Sequence, residues 1–532
     1  MSRRFAELPW RGIIAVLAVA TLLLPLSPAV EGRGAVPSDA RSVTHALNRL
    51  AFGPRPGDVE RVARMGLGAW IDEQLAPARR NDDPLAARLA RLTTLALDSA
   101  TIATEYFRPA RQERRRLKQE QAATKDDSGQ PATDRPDEQK MENGAPGGPR
   151  PAAMNDVIRR ERQIFAELAE AKLIRATYAD RQLEEVLVDF WFNHFNVFAR
   201  KGRTGIYIGE YERDAIRPHV LGRFRDLLGA TAKSPAMLFY LDNWLSAGRD
   251  SVSPRRGLNE NYARELLELH TLGVDGGYTQ QDIVEVARAF TGWTIGRPGD
   301  QGFRFAAAIH DRGAKKILGE TIKSGGGIED GERVLDLLAR HPSTATHIAR
   351  KLAERFVSDT PPQVLVDRAA AAFRKTDGDL REVVRVIVTS PEFFAPDSYR
   401  AKVKTPFEFV VSALRATDAD LQVAAAIVRA LAGLGMPLYL CQPPTGYDDT
   451  AATWVSSGAL VNRLNFAVSM AGGQLRGVRL PSLAEPSEAR ERIIRDALGG
   501  DVSKATLDTI AKAETASRTI ALAIGSPEFQ RQ

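Results

Sequence analysis

Three stretches of this 532-residue chain concentrate side chains able to move protons. GLNENYARELLELHTLGVDGGYT, from Gly257 to Thr279, carries Asn259, Glu260, Asn261, Arg264, Glu265, Glu268 and His270; LEEVLVDFWFNHFNVF carries Asp189, Asn193 and His194; a third histidine, His310, is followed by Asp311. Neutral imidazoles with carboxylates nearby are the equipment of general acid/base catalysis or of a His/carboxylate metal site, because burial and charged neighbours tune their protonation. In the acid/base reading His194 or His270 is the general base, Glu265 its partner and Arg264 the cation that stabilises an anion, while Asn193, Asn259, Glu260, Asn261, His310 and Asp311 contact substrate. Metal binding stays open through His194, His270, His310 and Glu265, although no ligand set is assigned and no cofactor is named.

Helical spacing sets how these groups are presented. At about 100° per residue from Asn259, Tyr262, Ala263, Leu266, Leu267 and Leu269 form one apolar stripe with His270 in its middle, and Glu268 falls on the opposite side. Glu268 and His270 therefore do not share one ion, and His270 points inward, where its ring nitrogens need partners. Gly273 ends the helix, Asp275-Gly276-Gly277 turns, and Thr279 with Asp282 caps the next helix. In the second stretch Leu187, Phe190, Trp191, His194 and Phe198 share a face, and Asp189 pairs with Asn193 at i, i+4. Taken singly, each histidine is more often a satisfied core or loop residue; only convergence in space reverses that and makes a site.

The rest of the chain bounds what such a site serves. Residues 1–29, MSRRFAELPWRGIIAVLAVATLLLPLSPA, read as a signal peptide, with Arg3, Arg4 and Arg11, an apolar run from Gly12 to Leu24, and small residues at Ser27 and Ala29. The run is shorter than the ~20 residues of a comfortable span, so contact with a membrane is expected only if this segment stays uncleaved. Its removal takes three arginines and one glutamate, lowering the net charge from +6 to about +4. The mature chain is expected in the periplasm or outside the cell. Basic and acidic residues are interleaved, which excludes a nucleic-acid stripe, and the lone Cys441 excludes an internal disulfide or a cysteine cage. There is no Gly-x-x-x-x-Gly-Lys-Ser/Thr, no Gly-x-Gly-x-x-Gly after a strand and no Gly-x-Ser-x-Gly.

The expected fold is mainly α: a multi-helix, stacked-hairpin architecture with one small β-hairpin. Length suggests two to four domains. The segments are an N-terminal helical region (38–107), a disordered charged insert (108–151) with a frayed helix at its start, a central helical core (152–300), a β-hairpin and loop (301–328) and a C-terminal helical region (329–532). The hairpin is placed with Phe303 and Phe305 on one strand, an Asp-Arg-Gly turn after His310, and Ile317 and Leu318 on the return. Ser-Pro recurs after apolar helices, making Ser234, Ser390 and Ser526 helix caps, and Ser343 is a further one.

The succession HALNRLAFGPRPGDVERV, FWFNHFNVF, GLNENYARELLELHTLGVDGGYT, IHDRGAKKILG, VTSPEFF, KVKTPFEFVVSALRA and GMPLYLCQPPTGYDD resembles the bacterial family called Domain of Unknown Function 1800, from about Ser42 to Gln530. The resemblance implies an exported protein with recurrent positions at Asn193, His194, Asn259, Glu260, Asn261, Arg264, Glu265, Glu268, His270, Gly273, Trp293, His310, Asp311 and Gly313. It also implies an exported, sulfatase-like partner encoded nearby, and assigns no reaction. Where the family tends to read Gly-Trp after Pro-Pro, this chain has Gly446-Tyr447. Two functions follow: a hydrolase or lyase on an envelope or extracellular polymer, whose polar residues line a reachable pocket, or a non-catalytic scaffold, whose polar residues are dry and fully bonded.

Overall fold

The apolar periodicity is realised as helices that pack on their neighbours in the chain: in the computed structural model Pro342–Phe356 lies on Gln363–Lys375, and that helix on Leu380–Val388. The structure describes residues 36–76, 83–126, 152–248, 257–296, 302–482 and 486–532; the segment read as a signal peptide lies outside them. The architecture is mainly α with small two-stranded antiparallel sheets. No helix among the described residues is long and apolar enough to cross a membrane.

Where length suggests several cores, buried side chains from Val43 to Phe529 form one contiguous cluster. The chain's two ends return to its middle, which is why. Buried Arg49 donates to the carbonyls of Val357 and Ser398, His45 to that of Phe393, and Lys402 exchanges backbone hydrogen bonds with Gln532.

Two hairpins replace the single one expected after residue 301. Phe303–Phe305 pairs back onto Trp293–Ile295, and Lys315–Ile317 pairs forward onto Glu320–Ile322. The cause is local: Leu318 (φ 49°) and Gly319 (φ 86°) are both left-handed, the signature of a tight hairpin turn, so the chain reverses immediately after Ile317. A third pair joins Asp420–Leu421 to Val478–Arg479.

Of the charged insert, Arg108–Asp126 is helical, not merely frayed, and residues 127–151 lie outside the described ones. Arg116 pairs with Glu113 and Glu120 along this helix, and Arg114 pairs with Glu161 on Ala152–Tyr178. Ser234 and Ser526 cap helices, whereas Ser390 accepts from the Phe393 N–H at the head of a turn. Before Pro342 the cap is His341 rather than Ser343: its Nδ1 accepts the Ser343 N–H.

Candidate active site

The motif of the first stretch begins as an ordinary helix, Asn261–Glu265, and widens into a π-helical turn, Leu266–Thr271. The wider turn is held by the Thr271 hydroxyl, which donates to the Leu266 carbonyl at 2.6 Å, and by Leu272 N–H to Leu267 O at 2.9 Å. Leu266, Leu267 and Thr271 are fully buried, so packing fixes the irregularity. An inserted residue of this kind shifts every later side chain around the axis. Glu268, opposite the apolar stripe, lines a cavity together with Leu269.

The end of this helix leaves carbonyls without intrahelical partners. Two imidazoles from other helices take them. Nε2 of His194, the last residue of Gln182–His194, lies 3.2 Å from the His270 carbonyl, and Nε2 of His347, in Pro342–Phe356, lies 3.2 Å from the Leu269 carbonyl. A carbonyl only accepts, so both rings carry hydrogen on Nε2 and keep the lone pair on Nδ1. The ring centroids are 6.1 Å apart. Gly273 (φ 85°) makes room beside them: a β-carbon there would lie 2.9 Å from Nδ1 of His347.

Burial disfavours the charged imidazolium and sets the electrostatics. It pushes His347 down to about 4, assisted by Lys351, and His194 well below the usual range, assisted by His347 and His270. His270 is pushed to about 3, first by burial and then by His347; its ring packs 5.0 Å from that of Phe195, and its Nε2 is enclosed without a hydrogen bond. The ring of His270 thus stands behind the cavity, and its carbonyl does the positioning.

The cavity encloses about 470 Å³ between these helices and the loop around Gly446, and is lined by His194, His347, Glu268, Lys351, Asp448 and Asp449 among others. Asn193 grips that loop: its Nδ2 donates to the Tyr447 carbonyl and its Oδ1 accepts the Tyr447 N–H, both at 2.7 Å. The anticipated Asp189–Asn193 pair is not formed, because Asp189 bonds Lys172 at 2.7 Å instead. Gly446 (φ 74°) comes so near that a β-carbon would sit 2.3 Å from the Asn193 carbonyl oxygen. The Tyr447 hydroxyl finds the Pro437 carbonyl at 2.8 Å, so the loop is held without an indole at this position. Deeper in the wall, Arg355 pairs with Glu408, which also accepts from Gln532. Burial lifts the Asp449 carboxyl to about 6 against the pull of Lys402 and Arg355.

The remaining residues singled out in the sequence lie elsewhere. Asn259 accepts the Asn261 N–H in a local turn ahead of the helix, and Asn261 donates to the Leu241 carbonyl at 3.3 Å. Glu260, Arg264 and Gln280 bond one another at the surface. Glu265 is half-buried; burial and then Glu268 raise its carboxyl above the usual range, with Arg264 opposing. His310 and Asp311 sit between the two hairpins, not at a hairpin tip. His310 bonds Thr291 O at 2.7 Å and Asp330 at 3.2 Å, Lys315 bonds Asp330 at 2.7 Å, and Arg288 clasps Asp311 with two hydrogen bonds. Among the described residues no group of three or more His, Cys, Asp or Glu is arranged to hold a metal ion.

His347 is the residue that reading the sequence missed. Its trace was present: His347, Lys351, Glu354 and Arg355 recur at helical spacing, and all four line the cavity.

The sequence model of a family described as protein of unknown function (DUF1800) matches residues 45–531, and the chain belongs to that family. No curated protein and no solved structure matches it.

Proposed function

From membership of a family whose description names no reaction, we propose that this chain is an exported hydrolase or lyase acting on an envelope or extracellular polymer, with the histidine-lined cavity as its active site. The observation that supports the reading most is the pair of neutral imidazoles, His194 and His347, oriented by consecutive backbone carbonyls in the wall of a 470 Å³ cavity. Such a ring is unprotonated at neutral pH and has a lone pair to offer, and the burial that keeps it neutral also weakens it as a base. In hydrolysis it takes a proton from water as the oxygen attacks, and a carboxyl such as Asp449 returns one to the leaving oxygen as the scissile bond breaks. In elimination the ring takes the proton from the carbon beside a carboxyl group, a C=C bond forms as the C–O bond to the leaving sugar breaks, and a carboxyl such as Asp449 protonates the departing oxygen. Glu268 supplies a further carboxylate to the lining. The basic, apolar N-terminus supports export.

The test is digestion of purified envelope and extracellular polymers by the mature chain, read as released reducing ends or unsaturated products. His194→Asn is expected to lower the rate by about 10²- to 10⁴-fold with its melting temperature retained. Undiminished activity in a folded His194→Asn variant, or no product from any polymer, would end this reading.

A second reading, a non-catalytic extracytoplasmic scaffold, draws on Asn193, Asn261, His310 and Asp311, whose polar atoms are occupied by internal partners. It predicts a stable complex with an exported partner, recovered intact from His194→Asn.

A further inference from the structure

A second cavity, about 780 Å³, shares no lining residue with the histidine cavity. Its walls combine arginines with flat rings. Phe107 closes the π-helical turn Ile102–Phe107, and Arg108 and Arg111 follow on the next helix. Phe239 and Trp244 supply the opposite wall, stacked at 5.3 Å with their planes 11° apart. Gly202 (φ 53°) permits this: a β-carbon there would lie 2.7 Å from the Phe239 ring.

The charge is one-sided. Arg108, Arg111 and Arg114 line it with a single carboxylate, Glu161, which Arg114 already holds. Arg108 and Arg111 are exposed and form no ion pair among the described residues. A chain whose charges otherwise interleave to a net +6 concentrates positive charge at one aromatic-walled cleft. Guanidinium forks match carboxylates with paired hydrogen bonds, and ring faces accept the C–H surface of a sugar. Nucleic acid fits less well, because a phosphate backbone needs a continuous basic track, and outside this cleft the basic and acidic residues are interleaved.

We propose that this cleft is a binding site for an acidic polysaccharide, with Arg108 and Arg111 pairing its carboxylates and the Phe239–Trp244 pair supporting its sugar faces. It stands whether or not the histidine cavity is catalytic. The test is calorimetric titration of the mature chain with tetragalacturonate, with cellotetraose as the neutral control and tetrathymidylate as the nucleic-acid control. Tetragalacturonate is expected to bind, more weakly as salt rises. The double charge reversal Arg108→Glu, Arg111→Glu should weaken it by about tenfold or more without changing the melting temperature, since both side chains are exposed. Trp244→Leu should weaken both the charged sugar and any residual neutral binding, and His194→Asn should bind as wild type does. Absent tetragalacturonate binding, equal binding of cellotetraose, tighter binding of tetrathymidylate, or indifference to the charge reversal would each overturn the proposal.

Discussion

The ring of His194 hangs from the backbone of His270: Nε2 to carbonyl oxygen is 3.2 Å, and the two rings stand 6.2 Å apart. One histidine therefore orients the other through its peptide group, and the same helix end holds His347 through Leu269.

Both suspended rings should be a single tautomer. In ¹⁵N-histidine NMR at neutral pH, His194 and His347 are expected to show hydrogen on Nε2 and a bare Nδ1. A Nδ1–H signature for either would contradict the arrangement.

Stability should fall with acid over a defined window. Burial holds His45 and His270 at about 3 and His347 at about 4, and His194 well below its ordinary value of 6.5. The unfolded chain protonates these rings first, so the stability is complete above pH 6.5 and is lost progressively as pH falls from there to about 3. Each costs about 1.4 kcal/mol one unit below 6.5. Asp449, raised to about 6, acts in the opposite direction, as one group against four. His270→Leu, which removes an enclosed and unbonded nitrogen, should show a smaller drop in melting temperature between about pH 7.5 and pH 5.5 than wild type.

The loop at the cavity mouth should depend on one glycine and one amide. Gly446→Ala must displace Asn193, with an expected loss of at least about 2 kcal/mol from strain at positive φ and the clash together. Asn193→Asp keeps the acceptor but loses the donor to the Tyr447 carbonyl, at about 1–3 kcal/mol. Denaturant titration measures both.

The His310 cluster should answer to stability rather than to substrate. Lys315 is wholly buried against Asp330, and Lys315→Met leaves that buried carboxylate with only its His310 contact, at about 3–5 kcal/mol. An Asp311→Asn variant that melts earlier yet keeps its KM would place Asp311 outside the site.

Much of this was legible locally. The inward His270, the left-handed Gly273 and the Thr279–Asp282 capping box all follow from spacing within one turn, and the structure has each. What spacing does not encode is insertion and distance. The π turn rests on the buried packing of Leu266, Leu267 and Thr271, which a regular wheel does not foresee. The partner of Asn193 lies 254 residues away, so a short-range pairing with Asp189 was the nearest inference available. The second hairpin arises from the left-handed Leu318, a conformation a leucine does not advertise.

The widened turn at Leu266–Thr271 also binds two elements into one register. Deleting a single residue there would restore a regular spiral and swing both acceptor oxygens by roughly 100°, away from both imidazoles together. Evolutionary tinkering with that segment is thus all or nothing: neither ring can be retuned through its anchor while the other stays put.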